Sequence, residues 1–118
     1  MKKIFHLNTC NTCQRILTEW NAPASFSVQN IKEENIDAKS LDFAAKKLGS
    51  YEALFSRRAI KYKTQGLANK TLSEKDYRKL ILEEYTFLKR PVMINEDQVF
   101  AGNAAATVLA AKLSLKGK

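Results

Sequence analysis

The sequence predicts an α/β fold, a sheet of about four strands with helices on its faces, and three observations lead there. A short apolar run opens the chain and stops at turn residues. The middle of the chain switches to helical periodicity. Two more short apolar runs then precede an alanine-rich C-terminal stretch. A length of 118 residues suits one hydrophobic core, so a single domain over 1–118 is expected.

The elements follow in order. Ile4, Phe5 and Leu7 give Lys3 to Leu7 the look of a buried strand, ended by the turn formers Asn8 and Thr9. Cys13, Ile16, Leu17 and Trp20 then recur at three- and four-residue spacing, which places one apolar stripe on a helix ending near Asn21 and Pro23. Phe26, Val28 and Ile31 alternate loosely over Ser25 to Ile31, the pattern of a second strand, and polar Lys32 to Asn35 make a loop.

From Ala38 to Tyr85 the periodicity is helical throughout. Leu41, Ala44, Ala45 and Leu48 precede Gly49, and Tyr77, Leu80 and Ile81 follow Ser73, which reads as an N-cap with Glu74 and Asp76 in an acidic first turn. Val92 to Asn95 and Gln98 to Ala101 read as strands joined through Glu96 and Asp97. A closing helix is expected from about Ala104 to Leu115. The order βαβ, helices, ββα makes the middle third a helical insertion, about 36–83, in a core of about 1–35 and 84–118.

Composition narrows the class. With 45% hydrophobic and 27% charged residues the chain is that of a folded globular protein, not a disordered one. The net charge of +8 draws anions to the surface. Lys46, Lys47, Lys61, Lys63 and Lys79 are spread along helical stretches, the pattern of a solvated surface, so no direct nucleic-acid binding is expected. No run approaches the roughly 18 apolar residues of a membrane span, and MKKIFHLNTC is too short and too soon polar for a signal peptide. A cytoplasmic monomer with no membrane association is the expectation.

In a reducing compartment two cysteines three apart read as redox or metal chemistry, not as a structural disulfide. Tetrahedral zinc needs four ligands, and His6 is the chain's one histidine beside Cys10 and Cys13, so no metal is expected. His6 itself lies within the first strand and reads as packed or surface-lying, not as a catalytic base. Cys10 stands where the first helix begins, and the unpaired N–H groups there favour a thiolate, the nucleophilic form. Arg15, one turn into the same helix, adds positive charge near the site or points to solvent. Cys13 is open to two readings: a resolving thiol one turn away, or a small apolar residue on the stripe with Ile16, Leu17 and Trp20.

NTCNTCQR after a strand, together with FLKRPVMINEDQVFAG near the end, resembles the arsenate reductase (ArsC)/Spx family, which holds the glutaredoxin-coupled arsenate reductases and the Spx transcriptional regulators. The likeness spans nearly the whole chain. It implies a thioredoxin-like mixed sheet, with the helical insertion between the second and third strands. It matches Cys10 and Thr12 to the family's opening cysteine and following Thr or Ser, and Arg90 and Pro91 to its Arg-Pro pair. Pro91 would then be the cis-proline facing the cysteine, the other reading being a trans proline that starts an edge strand.

The same resemblance makes Arg90 the arginine that contacts an oxyanion or thiolate. Where the family has a further arginine ahead of the pair Gly66–Leu67, this chain aligns Ser56, with Arg57 and Arg58 as neighbours able to substitute. Where arsenate reductases carry a third arginine this chain has FAGN, near Gly102. The anion-binding set is thus incomplete, and arsenate turnover is expected to be weak or absent.

The implied function is a thiol-dependent oxidoreductase: Cys10, Cys13 and Arg90 catalytic, Thr12, Arg15, Arg58 and Pro91 substrate-binding. It carries no bound cofactor, and glutathione or glutaredoxin serves as reductant. The alternative is a Spx-like redox-sensing regulator that binds the RNA polymerase alpha subunit.

Overall fold

The computed structural model describes residues 1–116. The strands are β1 (Lys2–His6), β2 (Ser27–Asn30), β3 (Val92–Asn95) and β4 (Gln98–Ala101); the helices are α1 (Asn11–Trp20), α2 (Ala38–Leu48), α3 (Ile60–Thr64), α4 (Glu74–Glu83) and α5 (Ala105–Lys116). The strands form one mixed sheet in the order β2-β1-β3-β4. β1 runs parallel to β2, with Ile4 opposite Val28, and antiparallel to β3, with Ile4 opposite Met93; β3 and β4 are an antiparallel hairpin. A parallel neighbour requires a crossover connection, and α1 supplies it. The fold is the thioredoxin-like α/β architecture, and the helical segment stands between β2 and β3.

Contacts divide the chain into two compact units: Met1–Glu34 with the chain from Arg90 onward, and Asn35–Lys89. In the first, β1 and β3 are central and buried on both faces, with Ile4, Phe5, Val92, Met93 and Ile94 at most 1% exposed. Ile4 and Met93 share a cluster with Ile16 and Trp20 of α1 and Val108 and Ala111 of α5. α1 ends because Asn21 turns left-handed (φ 43°), its N–H bonded to the Leu17 carbonyl at 3.0 Å. Asparagine tolerates that conformation better than most residues.

The second unit corrects one expectation. Its segment is not helical throughout: α2, α3 and α4 are separated by single 3-10 turns, and Phe55 and Leu88 form an isolated antiparallel bridge. Gly49 at φ 99° and Gly66 at φ 68° break the helical path in a left-handed backbone conformation that residues other than glycine rarely adopt. The Ser56 N–H donates to the Phe87 carbonyl at 2.7 Å and the Lys89 N–H to the Leu54 carbonyl at 2.8 Å, extended-chain pairing that a period of 3.6 cannot reveal. Phe55 sits at the centre, its ring centroid 5.1 Å from Phe87 and 4.9 Å from Tyr77.

α4 begins where the cap residue places it. The Ser73 side chain accepts from the Asp76 N–H at 3.2 Å and the Asp76 carboxylate accepts from the Ser73 N–H at 2.8 Å, a reciprocal capping box. Ser73→Ala is expected to cost about 1 kcal/mol of stability, read from the urea midpoint.

Candidate active site

The site is built at the junction of β1 and α1. After His6 the chain turns at Asn8 and Thr9, and the Cys10 N–H closes that turn on the Leu7 carbonyl at 3.1 Å. Cys10 is extended (φ −96°, ψ 111°), and its own carbonyl accepts the first helical bond, from the Gln14 N–H at 3.1 Å. The Cys10 side chain therefore occupies the N-cap place of a ten-residue helix whose first turn holds no acidic residue. Nothing in that turn offsets the positive end of the helix.

The two sulfurs differ in their surroundings. Cys10 is half-buried and Cys13 fully buried. Burial by itself would raise the Cys10 thiol. The N–H of Cys13, the S–H of Cys13, the Arg90 guanidinium and the N–H of Thr12 together outweigh it, so Cys10 lies below the ordinary thiol value. The sulfur closes no cap hydrogen bond of regular geometry, but it is near enough to those N–H groups for their dipoles to favour its charge. Cys13 is pushed up to about 11, first by burial and then by the neighbouring Cys10, against the opposing pull of the Leu7 N–H and Arg90. At neutral pH the inner sulfur stays a thiol and donates to the outer one.

Arg90 reaches both sulfurs electrostatically because β3 lies beside β1. Phe5 pairs with Val92, and Pro91 and Arg90 precede Val92 directly, alongside the end of β1. The Arg90–Pro91 peptide is cis, Pro91 is buried, and its carbonyl accepts from the Gly102 N–H at 3.0 Å. The structure thus gathers Cys10, Thr12, Cys13 and Arg90, with Pro91 adjoining. Arg15 is exposed on α1 and is not among the groups acting on Cys10. Arg58 lies in an exposed turn of the second unit. Among the described residues no group of three or more His, Cys, Asp or Glu side chains is placed to hold a metal ion.

Two contributors escaped the sequence reading. One is the main chain of Leu7, whose N–H faces Cys13 and whose carbonyl holds Cys10. The other is Gln14, whose Nε2 donates to the Leu7 carbonyl at 3.2 Å and lies 3.3 Å from His6 Nδ1, bracing the turn that carries Cys10. His6, lowered by burial against the opposing charge of Glu33, serves as its neutral partner.

A thioredoxin-like fold that sets a lowered thiol at a helix tip, over a second thiol and beside an arginine, defines a thiol-redox protein. The chain belongs to the ArsC family, whose family model matches residues 5–111. Among solved structures it is similar to an arsenate reductase from Vibrio cholerae (20% identity, TM-score 0.77, 93% of this chain and 96% of that one). It is likewise similar to an ArsC family related protein from Bacteroides fragilis (22%, TM-score 0.78, 93% and 97%). A third is an arsenate reductase related protein from Brucella melitensis (22%, TM-score 0.65, 92% of each chain). At these identities the likeness is one of fold. No curated protein matches the sequence. Among the described residues no helix is long and apolar enough to cross a membrane.

Proposed function

We propose that the protein is a cytoplasmic thiol-dependent oxidoreductase in which Cys10 attacks a disulfide or oxyanion substrate and an external thiol of the glutathione or glutaredoxin kind resolves the product. The observation that carries this reading is the opposite displacement of two adjacent sulfurs, Cys10 down and Cys13 up to about 11. One thiol is prepared to attack and the other is held as a hydrogen-bond donor.

A glutathione mixed disulfide is reduced in two thiol–disulfide exchanges. The Cys10 thiolate attacks the glutathione sulfur, a Cys10–glutathione disulfide forms, and the substrate sulfur leaves as a thiolate that takes a proton from water. A second glutathione thiolate then attacks the bound glutathione sulfur, forming glutathione disulfide and returning Cys10 as a thiolate. Overall, the substrate sulfur passes from the disulfide to the thiol level and the second glutathione sulfur from the thiol to the disulfide level, so the exchange needs no other oxidant or reductant. Arg90 steadies the anionic thiolate and the substrate's negative groups through its guanidinium. Thr12 contributes its N–H, and the carbonyl of Pro91 keeps the start of β3 tied to Gly102. Arg15 and Arg58 are proposed to attract anionic substrate. Internal resolution by Cys13 is disfavoured while its thiol is protonated.

The test is reduction of a glutathionylated peptide by glutathione. Cys10→Ser is expected to lose turnover, while Cys13→Ser, which keeps a donor hydroxyl, retains most of it; undiminished turnover in Cys10→Ser would end the proposal. Arsenate turnover with glutaredoxin is expected to be weak or absent, and robust turnover that Arg90→Ala abolishes would reverse that expectation. A complex with the RNA polymerase alpha subunit that forms in only one redox state would assign the regulatory reading instead. Arg90→Ala is also expected to raise the Cys10 thiol and slow its alkylation in mild acid, and Arg90→Lys to restore part of the rate. Titration of the thiolate's ultraviolet absorbance checks both.

A further inference from the structure

We propose that the groove between α1 and α5 is a docking site for an acidic amphipathic helix of a partner protein. The proposal shares Arg15 with the substrate attraction proposed above but does not rest on the chemistry at Cys10. The groove has a volume of about 460 Å³, with Ile16, Val108 and Leu109 as its apolar lining and Arg15, Lys112 and Glu19 around it. Its walls are fixed: Trp20 Nε1 donates to the Val108 carbonyl at 3.0 Å, and Ile16, Val108 and Ala111 pack in the same core cluster. Asn103 and Ala105 complete its lining.

The exposed face of α5 continues the groove. Leu109 is 56% and Leu113 52% exposed, one helical turn apart, and Lys112 and Lys116 fall on the same stripe at the third and seventh positions after Leu109. Four large hydrophobics are strongly exposed among the described residues, and two of them are this pair. Isolated apolar residues at a surface need no explanation, but two in register beside this groove form a ridge a partner can cover.

Charge selects the occupant. Among the described residues neither Arg15 nor Lys112 forms an ion pair, so two cations face one carboxylate, Glu19, across a groove of mixed apolar and polar lining. A helix presenting a pair of apolar side chains four residues apart, flanked by Glu or Asp, would bury them in the groove and pair its carboxylates with Arg15 and Lys112. A second copy of this chain is a poor occupant. Each copy carries a net charge of +8, and a twofold contact on α5 would bring Lys112 and Lys116 against their own counterparts.

The experiment uses the whole protein and a fluorescein-labelled helical peptide about four turns long. The peptide has leucines four apart, glutamates on both sides of them and alanine elsewhere; a companion peptide has lysine for every glutamate. Anisotropy is expected to saturate with the glutamate peptide and to weaken with added salt. Lys112→Glu and Leu109→Ser should each weaken binding by about tenfold. Amide shifts on binding should fall on α1 and α5. Each of the following overturns the proposal: no saturation with the glutamate peptide, equal binding of the lysine peptide, shifts confined to other elements, or self-association in sedimentation that Leu109→Ser abolishes. Both substituted residues are at the surface, and circular dichroism with the urea midpoint confirms that the variants fold. A variant that fails to fold is replaced by Leu113→Ser, for which the same weakening is expected and whose full-strength binding counts against the groove.

Discussion

At neutral pH a brief pulse of iodoacetamide is expected to label Cys10 and leave Cys13 untouched. A thiol at about 11 is ionised to about one part in ten thousand at pH 7, whereas Cys10 lies below the ordinary value of 9.0. The two units from 9.0 to about 11 already make a ratio of about a hundredfold, and the lowering of Cys10 adds to it. Full burial of Cys13 widens the gap by excluding the reagent. Peptide mapping by mass spectrometry reads the ratio, and equal labelling would remove the basis for a single attacking sulfur.

Stability carries the same signature with a definite sign. Cys10 is lower in the folded chain than in the unfolded one, so the unfolded state binds more protons between the two values and stability rises with pH across that window. Cys13 is higher when folded, so the folded state binds more protons from about 9 to about 11 and stability falls there. Urea midpoints measured through the alkaline range should show the fall in native protein and its loss in Cys13→Ser. The same substitution keeps a donor toward Cys10, whereas Cys13→Ala removes it and is expected to raise the Cys10 thiol.

Trp20→Ala is expected to be among the most damaging single substitutions, at about 3 to 5 kcal/mol. Trp20 is 4% exposed, lies in the cluster that joins the sheet to α1 and α5, and donates to the Val108 carbonyl at 3.0 Å. Alanine would leave a cavity at the C-terminal end of the helix whose N-cap is Cys10. Trp20→Phe keeps most of the volume and loses the hydrogen bond, so it is expected to cost about 1 to 2 kcal/mol. Equilibrium urea unfolding separates the two, and a Trp20→Ala loss below that of Trp20→Phe would contradict the packing described.

The outer elements were legible because their side-chain periods are clean. Val92–Asn95 and Gln98–Ala101 are strands with the bounds expected, and Ser73 caps α4 as its sequence announces. The opening strand is shifted by one residue, to Lys2–His6, and the second contracts to Ser27–Asn30, because pairing with β1 and not hydropathy ends it there. Trp20 stood out as the last residue of the apolar stripe, but nothing local showed that its indole would reach residue 108.

The site divides the same way. Cys10 at a helix tip follows from the residues around it, whereas the effect of Arg90 depends on β1 and β3 lying side by side, a long-range pairing that only the family resemblance supplied. The middle third misled because helical spacing is blind to Phe55 pairing with Leu88 across thirty-odd residues of intervening chain. Gln14 went unread because glutamine in a helix has no distinctive pattern, and its use here is set by the turn it braces.

The pairing of β1 with β3 also governs when the thiol acquires its character. Cys10 is made early in synthesis and Arg90 late, and the strand that follows Arg90 cannot dock until most of the polypeptide exists. Until then the sulfur lacks the guanidinium beside it. The share of the lowered Cys10 thiol that Arg90 supplies thus arrives only with completion of the sheet.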